Sequence, residues 1–142
     1  MADLRVRVAD YADDHETLRA IRFAVFVDEQ HVPPHIEMDE RDERCVHVLA
    51  YLDAGPVGTG RIDLEAGGKV GRVAVLAPFR RKGVGQAIME RLQEIAAAAG
   101  CERVWCHAQV TAVPFYERLG YRVVGGRFQE AGIEHARMER TL

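Results

Sequence analysis

One stretch of helical periodicity divides this chain into two groups of strand-like runs. Beyond Gly83, apolar residues recur every three or four positions, which is the spacing of a single buried helix face. The apolar stripe consists of Val84, Ile88, Leu92, Ile95 and Ala99. Gly100 follows the stripe directly and is a typical C-terminal cap. Because such a helix buries one face, it needs a second layer to pack against, and the runs around it favour a sheet.

The runs on either side of this helix alternate apolar and polar residues, or are short and wholly apolar, as strands are. The predicted strands span residues 4–8, 46–52, 57–64, 70–75, 103–106, 121–124 and 136–141. Turn compositions at residues 53–56 and 67–68 join three of these strands into a meander. Two further helices are predicted, one that begins near Asp13 or Asp14 and one over residues 112–119. This order predicts one α/β domain with a mixed sheet over the whole chain.

The composition limits the classes of function. The chain has 142 residues, of which 48% are hydrophobic and 29% are charged, and its formal net charge is −3. This length suits one domain, and the negative charge gives no general attraction to nucleic acid. No apolar run approaches the length of a membrane span, and the first residues lack an apolar signal segment. We therefore expect a soluble cytoplasmic protein without a nucleic-acid or membrane partner.

The segment over residues 30–44 has two prolines and a dense group of charged residues. The prolines forbid a regular helix at its start, so we expect a loop with about one helical turn. His31, His35, Glu37 and Asp39 in this loop are potential metal ligands by residue type. However, the prolines between the histidines exclude the helical geometry of zinc-binding helices. No metal site is therefore expected.

The residues before the central helix combine cations with glycines. Arg80, Arg81 and Lys82 directly precede the stretch that contains Gly83 and Gly85. A helix N-terminus leaves its first amide N–H groups without internal partners and carries a partial positive charge. The glycines give a ligand access to those amides, and the cations add formal charge. The stretch is therefore suited to bind an anion such as a pyrophosphate.

Two known phosphate-binding motifs do not fit this stretch. The dinucleotide fingerprint needs a third glycine at a position that Ile88 occupies, and the G-x-x-x-x-G-K-[ST] loop is absent. A glycine-containing turn with a solvated basic patch therefore remains an alternative when the short motif is taken alone.

Two longer motifs, in a fixed order, carry a resemblance to a known superfamily. The stretch VAVLAPFRRKGVGQAIMERL at residues 73–92 contains R-x-x-G-x-G, and AVPFYERLGY follows it at residues 112–121. Together they resemble the GCN5-related N-acetyltransferase (GNAT) superfamily. The stretches that also resemble its small bacterial ElaA-like branch are residues 22–29, 37–39, 57–61 and 107–109. The resemblance thus covers nearly the whole chain.

The resemblance implies a single α/β domain with a mixed sheet of six to seven strands, flanked by about four helices, and an acyl-CoA-dependent transferase. In that superfamily the amides of the glycine motif hold the pyrophosphate, and the preceding strand pairs with the pantetheine amides as an added strand would. The cofactor-binding residues implied in this way are Val73, Ala74, Val75, Arg80, Arg81, Lys82, Gly83, Val84, Gly85, Gln86, Gln109 and Phe115. Gln109 stands where many members have an asparagine that contacts coenzyme A.

Amide formation from a thioester needs a neutral amine and a stabilised thiolate leaving group. Tyr116 lies at the position of the superfamily's general acid, and a tyrosine with an ordinary pKa of ~10 stays protonated at neutral pH. A packing role for this aromatic ring is the alternative. Because a lysine-like amine is almost wholly protonated at neutral pH, the reaction also benefits from a base.

The sequence leaves several candidates for the general base. Many relatives have a glutamate on the strand before the glycine motif, where this chain has Arg72. The candidates are Glu37, Asp39, His47, His107 and an ordered water. His107, at the end of the strand that flanks the expected gap, has the best position, and a structural hydrogen-bonded histidine is the alternative. Glu37 is the candidate on the rim, where a carboxylate can bind or deprotonate an amine.

These residues lead to one enzymatic hypothesis and two alternatives. The hypothesis is an N-acetyltransferase that moves an acetyl group from acetyl-CoA directly to a primary amine of a small molecule or peptide, within a ternary complex. The acidic loop at residues 37–43 favours a cationic acceptor. The alternatives are a non-catalytic acyl-CoA-binding module and an acyl-homoserine-lactone-synthase-like acyltransferase. A homodimer is compatible with the superfamily, although no residue indicates one.

Overall fold

Seven strands and three α-helices are found in residues 3–34 and 38–142, which are the residues that this computed structural model describes. The strands are β1 (Leu4–Ala9), β2 (Val46–Leu52), β3 (Gly55–Asp63), β4 (Lys69–Val75), β5 (Arg103–Gln109), β6 (Arg122–Glu130) and β7 (Ile133–Thr141). The α-helices are α1 (His15–Arg22), α2 (Val84–Ala98) and α3 (Val113–Arg118). A π-helical segment continues α1, and the remaining helical elements are short 3₁₀ turns; these are Phe23–Glu29, Glu40–Arg44, Ala77–Phe79 and Val110–Ala112.

The sheet is mixed, as predicted, with the strand order β1-β2-β3-β4-β5-β7-β6. Its neighbouring strands are antiparallel except for β4 and β5, which run parallel. These two strands are joined by only two residue pairs, Lys69 with Trp105 and Val70 with Cys106. Beyond Val70 and Cys106 the strands separate, which leaves a gap near the middle of the sheet.

A β-bulge in β4 lies next to this gap. Thr59 is opposite Ala74 but Arg61 is opposite Gly71, so two residues of β4 face one residue of β3. Arg72 lies in the bulge and has a φ of 51°, which is uncommon for a residue with a side chain. Because a bulge bends the strand that contains it, β4 turns just after its last pairing with β5.

α2 covers one face of the sheet and builds the larger part of the core. Its buried residues are Val84, Ile88, Met89, Leu92 and Ala96. Val84, Ile88 and Leu92 of the predicted stripe are buried, whereas Ile95 is only partly buried and Ala99 lies exposed at the helix end. The glycines of β3 permit the close approach, because an added Cβ at Gly58 or Gly60 would come within 2.9 or 2.8 Å of Ile88 side-chain carbons.

α1 and the π-helical segment pack on the opposite face. Leu18, Ile21 and Val25 from these elements form a buried cluster with Leu49 of β2 and Ala74 of β4. The resemblance implied about four helices, and the described part of the chain has three α-helices, the first of which continues as the π-helical segment. Within that part, no helix has the length and the apolar character needed to cross a bilayer.

The last hairpin is longer than predicted. The pair Gly125 and Gly126 does not end β6, because the ladder with β7 resumes after a register shift between Val124 and Phe128. As a result, β6 and β7 extend over the sheet edge as far as a turn at residues 131–132, and they bring the end of β6 close to the gap between β4 and β5.

Candidate active site

A cavity of about 410 Å³ lies where β4 and β5 separate. Residues from β4, β5, the β6–β7 hairpin and the end of the π-helical segment form its walls. The candidate residues from the sequence that line it are Asp39, Val73, His107, Gln109 and Tyr116. The structure therefore brings the expected acid, two of the base candidates and part of the expected cofactor strand to a single concave site.

Tyr116 is the buried aromatic residue of this cavity, with 9% of its surface exposed. It packs edge-to-face against Phe115 and Tyr121, with ring centroids 5.0 and 5.6 Å away. Burial raises the pKa of Tyr116 strongly, and the nearby Cys106 and Tyr121 add to the rise. In the described residues no group hydrogen-bonds the Tyr116 hydroxyl, although the side chain faces the cavity. The hydroxyl is therefore a protonated donor without an internal partner.

The main chain of Val75 points into the gap. Leu76 N–H donates to the carbonyl of Val57, 2.9 Å away, so Leu76 and Val57 form a hydrogen-bonded pair of the antiparallel ladder. Hydrogen-bonded pairs alternate along an antiparallel ladder with pairs whose N–H and C=O groups point away from the partner strand. Val75 belongs to the second kind, so its N–H and C=O face away from β3. Ala74 has the opposite orientation, since its backbone pairs with Thr59 and its side chain is buried against α1. Of the predicted cofactor strand, Val73 and Val75 thus reach the gap and Ala74 does not.

Arg80 has an internal role in this structure. Its Nε donates to the Val75 carbonyl at 2.9 Å, and its two terminal nitrogens donate to the Glu29 carboxylate at 2.9 and 2.8 Å. The side chain therefore ties the end of the π-helical segment to β4. Arg81 and Lys82 are exposed, and no ion pair involving them is found among the described residues.

The N-terminus of α2 is open to solvent and has no side-chain cap. Gly83 is the N-cap, with a φ of 81°, and no atom lies within 4 Å of the place where its Cβ would be. The first intrahelical bond after it runs from Ala87 N–H to the Gly83 carbonyl, at 3.0 Å. The N–H groups of Val84, Gly85 and Gln86 therefore have no carbonyl partner within the helix. This arrangement can bind an anion.

Gly85 and Phe115 are predicted cofactor residues that the structure places in contact with each other. A Cβ at Gly85 would lie 3.2 Å from two carbons of the Phe115 ring. The glycine therefore allows the first turn of α2 to pack against α3. Phe115 packs against this turn, and it is not among the residues that line the cavity.

His107 lies on the cavity wall and contacts a carboxylate that the sequence analysis did not identify. Its Nδ1 is 3.2 Å from Oε1 of Glu130, at the end of β6. Oε2 of Glu130 is 3.7 Å from Nε2 of His135, which is buried. The sequence signal for Glu130 was the tract of polar residues after Phe128. Because the predicted strand ended at residue 124, Glu130 was not expected to lie near the site.

The other base candidates are less suitable or lie outside the described residues. Asp39 lines the cavity, but Arg61 donates to both of its oxygens at 2.8 and 3.0 Å. Burial alone would raise the pKa of Asp39, but the hydrogen bonds and charges of Arg61, with the charge of Arg72, hold it below its ordinary value. His47 is buried outside the cavity, and burial lowers its pKa. Glu37 is not among the described residues.

The charged segment after the prolines forms a buried ion network, although the sequence suggested an acidic loop. Asp42 is fully buried and accepts hydrogen bonds from Arg22 at 2.8 Å and from Arg61 at 2.7 Å. Its backbone carbonyl is 2.8 Å from Nε2 of His47. The arginines thus neutralise Asp39 and Asp42 within the protein, and the preference of this loop for a cationic acceptor stays a prediction.

Gln109, predicted to contact the cofactor, lines the cavity at the end of β5. Its Nε2 donates to Oε1 of Gln30 at 2.6 Å, which links β5 to the residue after the π-helical segment. No three His, Cys, Asp or Glu side chains in residues 3–34 and 38–142 converge to hold a metal ion. Since His35 and Glu37 fall outside those ranges, the absence of a metal site stays a prediction.

Comparisons with known proteins agree with this geometry. The family model described as "Acetyltransferase (GNAT) domain" matches residues 8–142. An uncharacterized N-acetyltransferase of Bacillus subtilis, YjcF, is 42% identical over 120 residues, which cover 83% of this chain and 86% of that protein. The crystal structure of a putative N-acetyltransferase from Lactobacillus plantarum superposes with a TM-score of 0.88 at 29% identity and covers 98% of each chain. Escherichia coli ElaA superposes with a TM-score of 0.81 at 27% identity and covers 99% of each chain.

Proposed function

The chain belongs to the GCN5-related N-acetyltransferase family, and on that premise we propose that it transfers an acetyl group from acetyl-CoA to a primary amine. The observation that carries the proposal is the separation of β4 and β5 beyond Val70 and Cys106, with Tyr116 facing the cavity between the strands. A free strand edge and a buried hydroxyl donor lie at this gap, and the open N-terminus of α2 packs against Phe115, the neighbour of Tyr116. Those are the parts that the transfer of an acyl group from a thioester requires.

The pyrophosphate of acetyl-CoA is assigned to the start of α2. Three N–H groups there lack intrahelical partners, and Arg81 and Lys82 add positive charge. The pantetheine arm is assigned to the open edge of β4, where the N–H of Val75 points away from β3. Arg80 supports this edge through the Val75 carbonyl and Glu29, so its role in the proposal is to position β4 beside the cofactor.

The chemistry requires one proton acceptor and one proton donor. His107 removes a proton from the acceptor ammonium, and the neutral nitrogen attacks the thioester carbonyl. The C–N bond forms, the C–S bond breaks, and Tyr116 gives its proton to the leaving sulfur. The raised pKa of Tyr116 keeps the hydroxyl protonated until that step. The nitrogen loses its second proton as it becomes an amide, which restores the Tyr116 hydroxyl, and His107 releases the first proton to solvent. We propose that transfer is direct, within a ternary complex. The described residues that line the cavity include no cysteine, and burial raises the pKa of the Cys106 thiol, at the last pairing of β4 with β5, to about 12.

An assay of acetyl transfer tests the proposal. The purified chain is mixed with acetyl-CoA and a panel of primary amines, such as tyramine, spermidine and lysine. A colorimetric thiol reagent measures the release of free coenzyme A, and mass spectrometry identifies the acetylated amine. Acetylation of at least one amine together with stoichiometric thiol release supports the proposal. Binding of acetyl-CoA without any transfer would instead support the non-catalytic binding module.

A further inference from the structure

Three carboxylates of residues 3–34 and 38–142 line the cavity, and only one of them lacks an arginine or lysine partner within those ranges. Asp39 is held by Arg61, and Asp63 accepts two hydrogen bonds of 2.9 Å from Arg41. Glu130 has no arginine or lysine partner within the described ranges; its neighbours are two histidines. Among the described carboxylates of the cavity wall, Glu130 is therefore the one whose negative charge no described arginine or lysine offsets.

The sheet register places this carboxylate and its two histidines on one face. Gln109 of β5 is opposite His135 of β7, and His135 is opposite Phe128 of β6. Since side chains alternate along a strand, His107, two residues before Gln109, and Glu130, two residues after Phe128, share that face. The same face borders the cavity, so the three side chains are close together through the strand pairing and do not depend on a flexible loop.

Aromatic packing and one backbone contact hold the group in position. The ring of Phe128 packs edge-to-face on His107 at 4.8 Å and stacks on His135 at 5.9 Å. Nδ1 of His135 donates to the carbonyl of Ile133 at 2.7 Å, which fixes this ring. Glu130 remains 46% exposed, so its oxygens can be reached from the cavity.

We propose that Glu130 binds the ammonium group of the acceptor and orients His107, which then takes the ammonium proton. A carboxylate can only accept a hydrogen bond, so the contact with Glu130 requires the proton on Nδ1 of His107 and leaves the lone pair on Nε2. When Nε2 accepts the proton, Glu130 stabilises the resulting imidazolium. The inference rests on the proposed function and specifies its acceptor as a positively charged primary amine.

If Glu130 has this role, it affects both the amine KM and kcat, and a purely structural residue would not change these two quantities in the same way. Its charge attracts the protonated acceptor, which lowers the amine KM. Its contact with His107 sets the tautomer and orientation of the base, which raises kcat. The carboxylate lies on the β6–β7 hairpin, whereas the predicted pyrophosphate site lies at the start of α2, so acetyl-CoA affinity should not depend on it.

The test compares Glu130→Gln with a matched control, Glu134→Gln. Both residues lie on the same hairpin with nearly equal exposure, 46% and 47%, but Glu134 pairs with Arg127 and does not line the cavity. With tyramine and spermidine as acceptors, Glu130→Gln should lower kcat/KM about 10²-fold, through both a higher amine KM and a lower kcat. Glu134→Gln should behave as the unmodified protein, and both variants should bind acetyl-CoA with unchanged affinity.

His107→Gln provides a second variant that keeps the carboxylate. It should lower kcat about 10²-fold while the amine KM changes little, because Glu130 still binds the ammonium. Suppose that the chain acetylates amines but Glu130→Gln and Glu134→Gln have the same kcat/KM, or that anionic or uncharged amines are the better acceptors. Either result contradicts the role of Glu130 and leaves the proposed function intact. If the unmodified chain does not bind acetyl-CoA, both proposals fail.

Discussion

Val70 and Cys106 are the last residues that pair β4 with β5. Beyond this pair β4 bulges at Arg72, while β5 continues along β7 as far as Gln109. The two strands therefore part, and the space between them is the cavity that Tyr116 faces. The site thus exists because one strand pairing stops early, and the residues that end this pairing determine where the chemistry takes place.

The hydroxyl of Tyr116 is expected to matter for turnover and little for folding. Because no described residue hydrogen-bonds it, Tyr116→Phe should unfold at nearly the same urea concentration as the unmodified protein. Loss of the general acid should lower kcat about 10²- to 10⁴-fold, while calorimetry should give an unchanged acetyl-CoA Kd.

Tyr121→Phe is the matched control for this variant. Tyr121 is also buried, but its hydroxyl accepts a hydrogen bond from Gln93 at 2.8 Å. Its removal should therefore cost about 1 kcal/mol of stability and leave kcat unchanged. If the two variants lose activity equally, Tyr116 is a packing residue and the acid role is excluded.

The buried ion network should contribute strongly to stability. Asp42 is fully buried between Arg22 and Arg61, so Asp42→Asn removes a buried negative charge that both guanidinium groups face, although Arg61 keeps its hydrogen bonds to Asp39. The free energy of unfolding should fall by about 3 kcal/mol or more. Urea denaturation measures the loss, with Glu43→Gln as the control, because Glu43 is exposed on the same turn. A loss of similar size in both variants would show that the network is not the cause.

The same carboxylate predicts how stability depends on pH. Burial alone would raise the pKa of Asp42, but hydrogen bonds and charges from Arg22 and Arg61 lower it below its ordinary value of 3.8. A lowered folded-state pKa stabilises the protein above the unfolded value, and this contribution is lost as the pH falls through the folded value. The stability difference between the unmodified protein and Asp42→Asn should therefore be full at neutral pH and shrink below about pH 4. A difference that stays constant into acid contradicts this account.

The sequence was informative where a local pattern determines the structure. The stripe from Val84 to Leu92 predicted the buried face of α2, because helical spacing alone decides which residues face the sheet. The two motifs at residues 73–92 and 112–121 led to the family and to Tyr116. Both predictions needed only residues that are close in sequence.

The parts that sequence reasoning missed depend on contacts between distant residues. Glu130 joins His107 through strand pairing across β7, and no local spacing encodes a contact between residues on different strands. The neutralisation of Asp42 likewise needs Arg22 and Arg61, which lie on α1 and β3. In both cases the sequence shows that a carboxylate is present, but it does not show which distant side chain lies against it.

The most direct test of the account is calorimetric titration of acetyl-CoA into the unmodified protein, Gly83→Asp and Gly100→Asp. The two glycines lie at opposite ends of α2, with φ values of 81° and 84° and with open space around each. The backbone strain of the two substitutions is therefore matched. An aspartate at Gly83 would cap the helix and occupy its free N–H groups with a carboxylate. The account predicts that the unmodified protein and Gly100→Asp bind acetyl-CoA, whereas Gly83→Asp stays folded and shows no binding heat. Equal binding by all three proteins would contradict it.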